Sequence, residues 1–151
     1  MTIPKHYVPQ NLTQRDRRKQ RKHIQTLRKL YKKRIYKNRP VLKSFRSKPS
    51  PHVTNAKKMY NVDRIVPSRA LAKASQCSRN GLRRIAKKGR GAYYSSGSRP
   101  NQTAQSWARA RLASALTGGN ASIVDYHILK EACKPSSKAL RLANKTRRKK
   151  K

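Results

Sequence analysis

The sequence predicts a small, mainly α-helical fold: a helix-turn-helix-like pair and a helical hairpin forming the core, with extended basic N- and C-terminal arms. Three observations predict it. Apolar residues recur three and four positions apart in several segments, the spacing of a helix face. Ser and Thr stand where those segments begin, and Gly where several of them end. Charge is also uneven: residues 91–133 hold four Lys or Arg against two acids, whereas the whole chain of 151 residues holds forty-one against four. A nearly neutral block with the only Trp reads as a folded core between cationic segments. The expected division is an arm with a helix and a Pro-rich linker over 1–53, a helical core over 54–133 and a basic tail over 134–151.

Residues 1–10, with Pro4 and Pro9, are expected to be extended. Thr13 followed by Asp16 resembles a capping box and opens a helix over about 14–37, with Ile24, Leu27, Tyr31 and Ile35 on its apolar side. Arg15, Arg17, Arg18 and Arg21 crowd its first turns, where cations oppose the helix dipole and an anionic partner would relieve them. Residues 38–52 carry Pro40, Pro49 and Pro51 and read as a linker laid along a surface, with Val41, Leu42 and Phe45 as anchors.

Ser68 caps the next helix, which buries Leu71 and Ala72, and Ser78 caps another, which buries Leu82 and Ile85 and ends at Gly89. This is the register of a helix-turn-helix, a unit that presents its second helix to the major groove. Arg79, Asn80, Arg83, Arg84, Lys87 and Lys88 lie on that second helix, and Arg and Asn suit guanine and adenine edges. An ordinary helical hairpin with a basic face has the same spacing. Gln76 stands where a turn Gly is usual, and Gly81 costs the helix roughly 1 kcal/mol relative to Ala.

The string GRGAYYSSGSRPNQT, residues 89–103, offers glycines, hydroxyls and the cations Arg90 and Arg99. It reads either as a backbone cradle for phosphate or as a surface loop capping the core. Without a GK[ST] ending it gives no support to nucleotide hydrolysis. Tyr93 and Tyr94 are candidates for stacking on bases or for packing. Thr103 then caps a helix to about 117 whose buried stripe is Trp107, Ala108, Leu112, Ala115 and Leu116, closed by Gly118 and Gly119. Ser122 with Asp125 starts its hairpin partner, carrying Ile123, Tyr126, Ile128, Leu129 and Cys133. His127 has no partner by spacing. A short helix around Leu140 and Leu142 precedes the basic run 147–151.

The charge selects the class of function. An excess of this size opposes a compact state and requires an anionic partner, and nucleic acid is the most densely and regularly charged candidate. One Phe and one Trp are too few for a lipid-inserting surface. The acids, at positions 16, 63, 125 and 131, make no carboxylate pair or metal cluster, so no catalytic residue, metal site or cofactor is expected and the chain is read as not an enzyme. No small-molecule substrate is expected either. Cys77 and Cys133 lack zinc spacing and read as small packing residues of a protein made in a reducing compartment. No secretory leader or membrane span is expected.

Over residues 48–133 the chain resembles a family of small basic proteins encoded by large DNA viruses of algae and protists. The resemblance rests on KPSPH at 48–52, the string at 89–103, Ser106-Trp107, ARLAS at 110–114, TGG at 117–119 and VDY at 124–126. It implies a viral origin and a virion component, made in the host cytoplasm or nucleus and not secreted. The expected function is nucleic-acid binding in association with the genome, DNA ahead of RNA. The alternative is a minor capsid or cement protein whose arms thread between capsid proteins or along an inner membrane. The candidate nucleic-acid contacts are Arg15, Arg17, Arg18, Arg21, Arg79, Asn80, Arg83, Arg84, Lys87, Lys88, Arg90 and Arg99.

Overall fold

A computed structural model describes residues 2–46 and 50–150. Residues 47–49 of the expected linker and Lys151 of the basic run lie outside the described residues. The described chain is helical, as expected, with α1 (Gln14–Lys32), α2 (Pro51–Tyr60), α3 (Arg69–Ser75), α4 (Arg79–Ser95), α5 (Ala104–Leu116), α6 (Asn120–Val124), α7 (Tyr126–Ala132) and α8 (Lys138–Lys149). A 3-10 turn occupies Lys5–Tyr7 where extended chain was expected.

The chain gathers into two compact units, one of residues 1–48 with 90–107, the other of 49–89 with 108–151. Segments expected to be arms carry apolar residues that find partners. In the first unit Ile24 and Leu27 of α1 are buried, as are Leu12, Leu42, Tyr93 and Ala104. In the second, α8 buries Ala139, Leu140 and Ala143.

Within the first unit, Thr13 caps α1 as expected, its hydroxyl accepting from the Asp16 amide at 3.1 Å. Asp16 does not complete the box; its carboxylate accepts from the Ser44 amide and hydroxyl. These hydrogen bonds hold the Asp16 carboxyl below its ordinary pKa. The helix ends at Lys32 rather than near 37 because Arg34 turns left-handed, at φ 62, and the Ile35 amide returns to the Leu30 carbonyl. Ile35, expected to face inward, is 40% exposed.

The stretch after α1 is held down through Leu42, one of the expected anchors, which is buried, whereas Val41 is exposed. Asn101 accepts from the Leu42 amide and donates to the Leu42 and Phe45 carbonyls, while Asn38 accepts from the Ala104 amide. Arg39 is buried, with its guanidinium 4.1 Å from the Tyr93 ring centre and donating to the Ser98 hydroxyl. The Tyr93 hydroxyl accepts from the Arg39 amide at 2.7 Å and donates to the Gln102 carbonyl at 3.1 Å. Thr103 and Ser106 cap the start of α5 reciprocally. Trp107 joins Leu27, Tyr93, Ala104 and Tyr94 instead of continuing the Ala108–Leu112 stripe.

The second unit holds the larger core, with Leu71, Leu82, Ile85, Leu112, Leu116, Ile128, Leu129 and Leu140 in one cluster. Ser68 and Ser78 cap α3 and α4 as expected. Gln76 takes the left-handed position, φ 57, that usually selects Gly. Pro51, read as part of a linker, is the first residue of α2, where its missing N–H costs nothing. The helix opened by Gly119 breaks at Asp125, so the hairpin partner is two short helices, and Ser122 lies inside α6 rather than capping it.

Two glycines owe their place to close approach. A Cβ on Gly81 would collide with the Ala132 side chain, and one on Gly89 would lie 2.8 Å from the Ala108 backbone. Gly89 therefore continues α4 instead of ending it, and the helix runs on through Tyr93 and Tyr94 to Ser95.

The cysteines are corrected outright. An isolated antiparallel bridge sets Cys77 opposite Cys133, and a disulfide joins them. Two backbone hydrogen bonds flank it, from Ser78 to the Ala132 carbonyl at 2.8 Å and from Lys134 to the Gln76 carbonyl at 3.0 Å. The two thiols, far apart in sequence, meet because α3's C-terminal turn runs beside the end of α7.

Candidate nucleic-acid interface

In the second unit, α4 turns Leu82, Ile85, Ala86 and Gly89 inward, so residues near 80, 83, 84, 87 and 88 face out. Only part of that set is free of internal duties. Arg79 donates to the Pro67 carbonyl at 3.3 Å, Arg84 pairs with Glu131 at 2.8 Å, and Lys88 reaches Asp125 at 3.1 Å. Asn80, Arg83 and Lys87 remain as the exposed polar ridge of the helix.

Asp125 explains the third of those contacts. Its side chain is fully buried and accepts two parallel hydrogen bonds from Arg111, at 2.9 and 2.8 Å. Burial pushes its carboxyl up, but Arg111 and Lys88 together outweigh burial and hold it below the ordinary value. Glu131 is likewise lowered by Arg84. Asp125 ties Lys88 to the core, whereas the Arg84–Glu131 pair lies at the surface.

A second basic face lies on α8. Ser137 caps the helix by accepting from the Leu140 amide. With Ala139, Leu140 and Ala143 inward, Lys138, Arg141, Lys145 and Arg148 follow one another at three- and four-residue steps along the outside. They line a cleft of about 640 Å³ together with Met59, Leu142, Asn144 and Arg147, and no acid lines it. Arg147 stacks over the Tyr126 ring, 4.6 Å from its centre. Cations in the last turn also suit the negative end of the helix dipole. This stripe was legible only in part: the basic run stood out, but its register became meaningful once the inward residues were known.

In the first unit, Arg15, Arg18 and Arg21 of α1 are exposed, and Arg17 and Arg21 line a cleft of about 310 Å³ with Lys5. Arg90 and Arg99 are exposed too. The phosphate cradle expected of residues 89–103 does not form. Residues 89–95 are helical, and beyond them Ser98, Asn101, Gln102 and Thr103 are engaged in the hydrogen bonds that hold the unit together. Tyr93 is a core residue rather than a stacking surface.

The arrangement is therefore a set of solvent-facing cationic ridges on helices whose inner faces are apolar. Among the described residues no helix is long and apolar enough to cross a membrane, and no group of three or more His, Cys, Asp or Glu is placed to hold a metal ion. Residues 4–127 match the model of a family described as a family of unknown function, DUF5824, and the chain belongs to that family. The α8 stripe lies beyond the matched residues. No curated protein and no solved structure matches the chain.

Proposed function

We propose that this is a non-enzymatic nucleic-acid-binding protein of a large DNA virus, carried in the particle with the genome. The observation that carries the reading is the stripe Lys138–Arg141–Lys145–Arg148, which lines a cleft without an acid in a chain whose four acids can neutralise few of its forty-one cations. Repeated cations on a helix face match the repeating phosphates of a nucleic acid and supply affinity without sequence specificity. Asn80, Arg83 and Lys87 on α4 are the groups available for base edges. Duplex DNA is the favoured partner, ahead of RNA.

Three of the acids support a binding rather than a catalytic role, because Asp16, Asp125 and Glu131 are each tied to an internal donor. The disulfide suits a protein that persists outside the reducing cytosol, as in a virion. A cement role would draw on extended arms, and the helical α1 and α8 favour the genome instead. The test is binding to a random duplex by wild type, R141A/K145A/R148A and R83A/K87A. The α8 variant is expected to lose at least tenfold in affinity on all sequences. Equal affinity in wild type and both variants would remove these faces from the interface.

A further inference from the structure

Three tyrosines of the first unit meet at its surface. Tyr31 near the end of α1 and Tyr94 near the end of α4 lie almost parallel, 14° between planes and 6.2 Å between centres. Tyr36, just past the left-handed Arg34, leans on both, 5.7 Å from Tyr31 and 5.2 Å from Tyr94. Tyr94 in turn meets the buried Tyr93 edge-on at 5.3 Å, which ties the group to the core. A ring serving only as packing would be covered, yet Tyr36 is 57% exposed.

The surroundings define what could lie on it. Lys32, Lys33, Arg34 and Lys37 are all exposed in the same stretch of chain. Asp16, the only acid of this unit, is turned to Ser44. Aromatic faces set among cations, with backbone fixed by a tight turn, combine the two elements that hold single strands: a stacking platform for bases and positive charge for phosphates. A duplex hides its base faces inside the stack and offers this platform only its phosphates.

We infer that the Tyr31–Tyr36–Tyr94 cluster is a stacking site for the unpaired bases of a single-stranded nucleic acid, with Tyr36 as the contact ring and Lys33, Arg34 and Lys37 on the flanking phosphates. This rests on the nucleic-acid reading and adds to it a preference for exposed bases. Tyr31 and Tyr94 act by holding Tyr36 from behind.

The test compares a 12-nucleotide oligothymidylate with an abasic strand carrying the same number of phosphates, using the full chain and its variants Y36A and Y36W. Wild type and Y36W are expected to bind the base-bearing strand about 5- to 100-fold more tightly than the abasic one. Y36A is expected to bind both strands with the wild-type affinity for the abasic strand, its thermal midpoint unchanged. Equal affinity of wild type for the two strands, or a preference that survives in Y36A, would overturn the stacking site while leaving phosphate binding in place. Failure of wild type to bind either strand while it binds a random duplex would overturn the stacking site alone, and failure to bind the duplex as well would overturn the nucleic-acid reading with it.

Discussion

Breaking the Cys77–Cys133 disulfide lowers the stability of the second unit by about 4 kcal/mol, the chain-entropy value for a bridge across so long a loop. That is a large share of the roughly 5–15 kcal/mol that keeps an ordinary domain folded. The bridge joins the α3–α4 turn to the end of α7, and both cysteines are buried in the larger core. Removing it leaves the flanking hydrogen bonds at Ser78 and Lys134 to hold the junction alone. Urea unfolding followed by helical circular dichroism measures the effect, with C77S/C133S and the reduced wild type expected to shift alike. An identical midpoint for oxidised wild type, reduced wild type and the double variant would show that the bridge contributes nothing.

Replacing Arg111 by Met costs about 3 kcal/mol or more, because it leaves the fully buried Asp125 carboxylate with only the half-exposed Lys88. The same pair sets an acid limb of stability. The folded carboxyl titrates below its ordinary 3.8, so the unfolded chain binds more protons in that range. Its stabilisation is present above about 3.8 and is lost as the pH falls through the folded value. In R111M burial dominates and the carboxyl titrates above its ordinary value, so the destabilisation is full near neutrality and is relieved as the pH falls and the carboxyl protonates. Adding D125N to R111M removes the stranded charge and restores part of the stability at pH 7. Denaturant midpoints measured from pH 3 to 7 test this. A pH dependence of R111M that coincides with wild type would contradict the assignment.

What the sequence made legible follows from how local each signal is. Thr13, Ser68, Ser78 and Thr103 cap helices because a hydroxyl reaching an amide two or three residues on is a local event. The pairs Ile24/Leu27, Leu82/Ile85 and Leu112/Leu116 are buried because apolar spacing reports the inward face directly. Signals that depend on a distant neighbour were misread. Gly89 breaks no helix because Ala108 needs its bare backbone, and Asp125 interrupts one where two distant cations claim its carboxylate. Arg34 ends α1 in a conformation that its residue type does not advertise.

The candidate site divides along the same line. Cationic character and the exposure of Arg83 and Lys87 came from composition and period. The diversion of Arg79, Arg84 and Lys88 into internal contacts depended on Pro67, Glu131 and Asp125, which no spacing rule links to them. The distinctive Gly/Ser string left two readings open, a phosphate cradle or a loop capping the core, because its residue types suit phosphate. The same hydroxyls and amides suit a neighbouring backbone equally well, and Ser98 and Asn101 are used that way.

The measurement that bears most directly on the account is the salt dependence of wild-type binding to a random-sequence duplex. Neutralising about eight phosphates predicts a steep linear fall of log affinity with log salt, amounting to roughly 10⁴-fold between 50 and 200 mM. That result would establish phosphate recognition by the cationic ridges as the source of affinity. A flat salt dependence, or no binding at 50 mM, would contradict it.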